Sequence, residues 1–531
     1  MKPIDPPSLD DEAQLQALGH KGELERNFSL VSMLGLAFAI LNSWTALSMS
    51  ISLAITSGGT TSVLWGLLTA GICNVCLALS MAEFLSAYPT AGGQYHWVAV
   101  ITPKPWVPLA SWITGWINVA GWIALTTAPS LLASQFISGF IFLFYPDFVL
   151  EKYHFWLIYV AFTVTGFIIN AFLNRILPFI NRGALLWTLG GFVVISITVL
   201  ACASPDYASA EFVFTEFINV TGWPDGVAWL LGLLQGAYGL TGYDAVAHMI
   251  EEIPDASVQG PKIMVYSVVI GTVTGFIFLM VLLFVSGGDM ELITSSGAGV
   301  LLAILQKATS SRAGAVCLGL IPLICLMFGQ IAIMTTSSRM TYAFARDGGL
   351  PMSKLFSHVH HGLGLPLNAL MLSATLSILF GLLILGSSSA FNALASAAVV
   401  ALGVSYAIPV AIHVCRRRKM LPARAFALPG PLGWIANLIG VGYTIVTTVL
   451  FLFPPALPVT SANMNYCVVA FGIILFISTF QWFVDGRKNY TGPRNDAGIE
   501  ILEAMMTNDE DKPGMRYPNV ADEKLGSDTV K

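Results

Sequence analysis

Charge is what this chain has least of: Asp, Glu, Lys and Arg make up 10% of its 531 residues, against 55% apolar ones. That is too little charge to wet the surface of a soluble domain, and a mean hydropathy of +0.74 places the chain in a bilayer as a polytopic protein. The net charge of −5 offers no basic surface for a nucleic-acid partner. Seven cysteines lie mostly inside apolar runs, which excludes a disulfide framework. The spacing Cys73-Asn-Val-Cys76 has neither a second pair nor a histidine near it, so metal or redox chemistry is not expected there. The polar first residues lack the short apolar stretch and small-residue cleavage site of a signal peptide. His248 and His413 are isolated in the sequence and read as structural. With no convergent nucleophile and base, an enzyme is not expected, and neither a cofactor nor a metal is called for.

What the chain has in abundance is long apolar runs. Windows of about 20 residues give about twelve transmembrane helices, near 30–56, 62–87, 108–143, 154–174, 183–204, 226–250, 262–286, 313–343, 366–386, 390–413, 433–457 and 463–485. With the N-terminus in the cytoplasm, all but Lys152, Lys307 and Arg312 of the 25 basic residues fall on that side, as the positive-inside rule requires. The run Arg416-Arg-Arg-Lys419 follows the tenth span, whereas 205–225 carries Asp206, Glu211, Glu216 and Asp225 without Lys or Arg. The sequon at Asn219 is therefore expected to be outside and glycosylated, while those at Asn27 and Asn489 stay bare. The resulting plan is a disordered cytoplasmic tail (1–28), a ten-helix core (29–413), a basic cytoplasmic loop (414–432), two further helices (433–485) and a second disordered tail (486–531), in a multi-pass protein of the plasma membrane.

The sixth span is interrupted midway. Gly236, Gly239 and Gly242 weaken its helix, and Asp244 sets a charge where hydrocarbon should be, costly unless it faces a polar cavity. Glycines also serve close helix packing, so this span alone leaves two readings open. The first span carries a matching interruption at Asn42-Ser43-Trp44-Thr45. Two spans separated by four intact ones, each broken midway, point to two five-helix inverted repeats with substrate at the paired breaks. The first half of the sixth span then ends near Gly239 with carbonyls facing the cavity, suited to a cation. The second half of the first span begins near Thr45 with amides facing it, suited to an anion. A zwitterion satisfies both ends. A quaternary ammonium needs only the first, with faces such as Trp44, Tyr243 or Trp122 for cation–π contact.

Two stretches also resemble a known family. Ser80-Met-Ala-Glu83-Phe-Leu-Ser-Ala-Tyr-Pro-Thr-Ala-Gly92-Gly-Gln-Tyr95, and Gly242-Tyr-Asp244 followed by Glu251-Glu-Ile-Pro254, look like the second- and sixth-span signatures of the amino acid–polyamine–organocation transporters. Phe38 to Thr45, Ala247 to Glu252 and Asn174-Arg-Ile-Leu-Pro178 are similar to the fungal amino acid/choline branch, which includes choline and γ-aminobutyrate permeases. The resemblance implies an all-α fold of the LeuT type with discontinuous helices one and six, and secondary transport by alternating access. Two departures stand out. The glycine-rich first-span turn of bacterial relatives is replaced by Asn42-Ser-Trp-Thr45, and the fifth-span lysine that carries the proton in some relatives has no counterpart between Gly183 and Ala203.

The expected substrate-binding residues are Asn42, Ser43, Trp44, Thr45, Gly239, Thr241, Gly242 and Tyr243. Asp244 and Glu83 are the candidates for coupling or gating. Asp244 could equally cap the second half of the sixth span, and Glu83 reads foremost as a fixed partner for amides or a nearby base. Glu251 and Glu252, at the cytoplasmic mouth, read as solvated acids, with gating pairs to Arg175, Arg182 or Arg339 as the alternative. The expected partners are a small amine, quaternary ammonium or amino-acid substrate, protons and the lipid bilayer. The competing readings are a non-transporting nutrient sensor, against which the short polar tails weigh, and an exporter or importer of a specialised amine metabolite.

Overall fold

A computed structural model describes residues 30–289, 297–360, 362–387 and 389–493; the expected tail 1–28 and residues 494–531 lie outside that range. Among the described residues, eleven helices are long and apolar enough to cross a membrane. The sixth crossing is divided between Asp225–Gly239 and Ala245–His248, each too short to span alone. Twelve crossings result. The first consists of Leu30–Leu41 and Ser43–Met49. The second, Ser52–Ala87, begins ten residues earlier than its hydropathy suggests, because Gly58 and Gly59 leave helical geometry and let the chain bend.

The remaining core spans are the third (Val107–Phe144), fourth (Lys152–Phe172), fifth (Leu177–Ala203), seventh (Ala256–Val285), eighth (Arg312–Arg346), ninth (Leu367–Gly381) and tenth (Ala390–Cys415). Their packing repeats itself when each span is exchanged for the one five further along. The first packs on the fifth and the sixth on the tenth; the second on the sixth and the seventh on the first. Likewise the third packs on the tenth and the eighth on the fifth, while the third and eighth, fourth and ninth, and second and seventh meet each other. Apolar side chains contribute no net attraction in lipid, so these contacts depend on close approach. A Cβ on Gly71 of the second span would lie 2.4 Å from Thr272 of the seventh, and one on Gly115 of the third 2.2 Å from Phe344 of the eighth.

The eleventh (Gly430–Leu450) and twelfth (Cys467–Gln481) helices stand outside this repeat. The twelfth is hardly buried along its length, but the chain after it is. Residues 486–493, expected to be part of a disordered tail, fold back onto the core. Tyr490 is buried between Trp112 and Phe344, with ring centroids 5.2 and 6.1 Å away, and its hydroxyl lies 2.8 Å from that of Ser111. Burial holds its phenol well above the ordinary range, with the Ser111 bond opposing. The polar composition of the tail hid this one aromatic anchor. Truncating it leaves a cavity lined by indole and phenyl rings, so Tyr490→Ala should cost about 3 kcal/mol, read as a lower melting temperature of the purified protein.

Candidate functional site

At the first break Asn42 adopts the left-handed conformation (φ 41°, ψ 37°). Among residues with a side chain, asparagine tolerates this region best, so it makes the turn that glycine makes elsewhere. Its own amide still closes the first half-helix onto the Phe38 carbonyl at 2.8 Å, and Ala46 is the first amide to find a backbone acceptor in the second, the Asn42 carbonyl at 2.8 Å. The amides of residues 43–45 are the orphan donors of a helix start. Asn42, Ser43, Trp44 and Thr45 are all buried, and Asn42 Oδ1, Ser43 Oγ and Trp44 Nε1 have no hydrogen-bond partner.

In the sixth span the Thr241 hydroxyl caps the first half by donating to the Ala237 carbonyl at 2.7 Å. Gly242 follows with φ 101°, open to glycine and strained for any other residue. The two breaks are in contact. A Cβ on Gly242 would come within 3.0 Å of Ile40 and 3.1 Å of Leu125, and one on Gly239 within 2.6 Å of Leu47. Gln235 ties the halves further by donating to the Leu47 carbonyl at 2.7 Å. Ser43 sits against Gly271 of the seventh span. Trp44 is turned away from the sixth span, edge-on to Phe278 at 4.7 Å and 6.5 Å from Phe192. Tyr243 lies 4.9 Å from the Tyr406 ring, and its hydroxyl is 3.4 Å from Asn74 Oδ1.

Asp244 is fully buried at the start of the second half, and its carboxylate is the most heavily hydrogen-bonded group near the breaks. Oδ1 accepts from the Tyr406 hydroxyl at 2.5 Å; Oδ2 accepts from Gln94 Nε2 at 2.8 Å and Trp122 Nε1 at 3.2 Å, and lies 3.1 Å from His248 Nε2. Gln94, on the short helix Gln94–Ile101 before the third span, is oriented in turn by Asn118, which donates to its Oε1 at 2.6 Å. The third, sixth and tenth spans thus converge on one carboxyl group. His248, read as isolated from the sequence, is part of this cluster. The spacing Asp244-x-x-x-His248 is one helical turn and could have signalled it. Gln94 belongs to the quoted Ser80–Tyr95 signature without being marked there as a partner of Asp244, and nothing local marks Tyr406; both arrive from distant parts of the chain.

Glu83 stands apart from the breaks, at the face carrying most basic residues. It accepts from Arg418 Nη2 at 2.7 Å, from Arg424 and from the Leu428 amide at 3.0 Å, the geometry of a fixed partner joining the second span to the loop 414–432. Glu251 and Glu252 differ from expectation: they are buried rather than solvated. Glu252 pairs with Arg339 at 3.0 Å and Glu251 with Arg346 at 3.3 Å. Both bases come from the eighth span: Arg339 is one of the three alternative partners offered by the sequence, whereas Arg346 was not among them. Tyr95 donates to Asp347 at 2.7 Å on the same side. On the opposite face a cavity of about 240 Å³ is lined by Ser52, Thr56, Gln135, Leu234, Phe391 and Asn392, among others. Its Phe391 ring meets Tyr238 edge-on at 5.6 Å, so this aromatic pair stands between the cavity and the sixth-span break. Asn219, in the acidic loop, donates to the Trp223 carbonyl and to Asp225.

Paired broken spans in a doubled five-helix core, sealed at one face and hollowed at the other, define a membrane transporter. Residues 28–476 match the family model described as amino acid permease, and the chain belongs to that family. It is 34% identical to a choline transporter of Saccharomyces cerevisiae over 91% of this chain and 86% of that protein. It is 33% identical to the amino-acid permease BAT1 of Arabidopsis thaliana, over 92% and 97%. A Macrophomina phaseolina protein named as a candidate amino acid/polyamine transporter is 37% identical, over 82% and 97%. The chain is a membrane transporter of the amino acid permease family.

Two substitutions separate the breaks from their scaffold. Gly242→Leu forces a side chain against Ile40 and Leu125 at a φ that leucine avoids, and should abolish uptake with the protein still present at the cell surface. Uptake at wild-type rate would move the site elsewhere. Glu83→Ala leaves the half-buried Arg418 and Arg424 without their buried carboxylate, and should destabilise the fold by about 3 kcal/mol, visible as a lowered melting temperature.

Proposed function

We propose that the chain is a proton-coupled permease of the plasma membrane that carries a small amine or quaternary ammonium, such as choline, or an amino acid, by alternating access. The substrate is held between the breaks, by residues 42–45 on one side and Gly239, Thr241, Gly242 and Tyr243 on the other. The observation that carries this reading is the opposed polarity of the two ends. Carbonyls at the close of the half-helix ending at Gly239 suit an ammonium group, and the amides of 43–45, with Asn42 and Ser43 beside them, suit a carboxylate. Relatives named for choline and for amino acids fit a site in which the ammonium seat is constant and the carboxylate seat optional.

The face bearing Arg416 to Lys419 is cytoplasmic in this reading. The cavity above Tyr238 and Phe391 then opens outward, and the Glu251–Arg346 and Glu252–Arg339 pairs close the inward path. Alternating access requires these pairs to part as the aromatic pair closes. Asp244, joined to three spans, is placed to couple the two motions.

Uptake of labelled choline, γ-aminobutyrate and a panel of amino acids into vesicles holding the purified protein, with and without an imposed proton gradient, tests the proposal. Accumulation of at least one amine against its gradient is expected, with competition surviving loss of the carboxylate and failing on loss of the positive charge. The reverse pattern would rank the carboxylate seat first. For the orientation, peptide mass spectrometry of protein made in a glycosylating cell should find glycan at Asn219 and none at Asn27 or Asn489; glycan at Asn489 would invert the topology.

A further inference from the structure

His248 is fully buried, and each of its ring nitrogens faces an oxygen. Nδ1 lies 2.9 Å from the Ala91 carbonyl and Nε2 lies 3.1 Å from Asp244 Oδ2. A carbonyl only accepts, so Nδ1 carries a hydrogen. A neutral imidazole then has a bare lone pair at Nε2, and a carboxylate presents another opposite it. That contact is repulsive unless one more proton sits between them, on the ring or on the carboxyl. Gln94 and Trp122 donate to the same Oδ2, and Tyr406 donates to Oδ1, so His248 is the fourth group to face this carboxyl and the one ionisable base among them.

We propose that Asp244 and His248 together hold one exchangeable proton in this conformation, and that its loss releases the inward-closing contacts. The inference deepens the reading of a proton-coupled permease and rests on it. With the proton the pair is neutral as a whole; without it the pair bears one negative charge and its shared contact is lost. The groups around it sharpen this difference. Tyr406 and Tyr243 are neutral phenols, Gln94, Asn118 and Trp122 are neutral donors, and among the described residues neither Lys nor Arg pairs with Asp244. An ion pair is reached through the backbone of one residue, Ala91. Ala91 accepts from His248 with its carbonyl and donates with its amide to Glu251 at 3.0 Å, and Glu251 pairs with Arg346. A contact between the sixth span and the 88–93 loop is therefore in series with the closing ion pair of the eighth span. Asp244 also directly follows the unwound segment at Gly242 and Tyr243, so the proton and the substrate act on the same stretch of backbone.

The test compares two modes of transport by the purified protein in vesicles, with labelled choline or γ-aminobutyrate, whichever the wild type accumulates. Exchange of label for unlabelled substrate needs no net proton movement, whereas accumulation does. With an imposed gradient of about one pH unit the wild type should concentrate label about tenfold per coupled proton. His248→Gln, which can still donate to Asp244, and His248→Asn, which can still donate to Ala91, should lose accumulation but keep exchange within about threefold of wild type, a split that a merely structural role would not produce. Accumulation at the wild-type ratio in either variant would overturn the inference with the permease reading intact, as would wild-type accumulation that ignores the proton gradient. Failure of the wild type to take up any member of the panel would instead refute the permease reading. If neither variant folds, 15N spectra of histidine-labelled wild type decide. Among eight histidines, one ring should carry a hydrogen on both nitrogens, or a neutral carboxyl stretch should appear in the infrared. Absence of both would sink the proposal.

Discussion

A carboxylate carried into the interior of a helical bundle has to be surrounded by donors or neutralised, and Asp244 shows what that demand does to a fold. Satisfying it draws Gln94, Trp122, His248 and Tyr406 to one point. Because those groups belong to four separate stretches of chain, the third and tenth spans and the loop before the third are positioned relative to the broken sixth by hydrogen bonds as well as by packing. Apolar surface cannot discriminate one helix register from another in lipid as sharply as a buried polar network can. The unwound segment next to Asp244 is thereby held open at a defined place, and the first-span break is brought against it by Gly239, Gly242 and Gln235.

The depth of this network matters for its use. Along the tenth span, Phe391 and Tyr406 are separated by a helical rise of about 22 Å. The cavity lies at the Phe391 end and the Asp244 cluster toward the end sealed by Glu251 and Glu252. The breaks lie between, so a molecule bound there touches structures that report to both faces. Residues 88–93 and the 250–252 turn are the short links by which a local change at Asp244 reaches the ion pairs.

Much of this was legible in the sequence because membrane constraints are simple. Span number followed from apolar length, the two breaks from polar residues and glycine at matching depths, and the importance of Asp244 from the cost of a charge there. Other features depend on tertiary meetings that no local pattern encodes. Glu251 and Glu252 read as solvated because their partners are some ninety residues away on the eighth span. Tyr490 was lost in a polar tail because one aromatic anchor is enough to pin a segment and too little to change its composition. His248 reads as isolated because neither a metal ligand nor a nucleophile lies near it in sequence, whereas its partner, Asp244, stands one helical turn before it. Asn42 occupied a position where a glycine was missing, and the backbone shows why little was lost: asparagine makes the same left-handed turn while adding an amide of its own.

The twelfth helix offers a different kind of consequence. It buries little along its length, yet Cys467 is buried at one end and Tyr490 just beyond the other, so it is fastened like a spar at its two tips and bare between them. The inner fastening lies between the third and eighth spans, beside Trp112 and Phe344. Those two spans meet at Gly115 and the Phe344 ring with no space to slide. The strut therefore braces the contact of the third span with the eighth, and lipids that grip its exposed flank would load that contact.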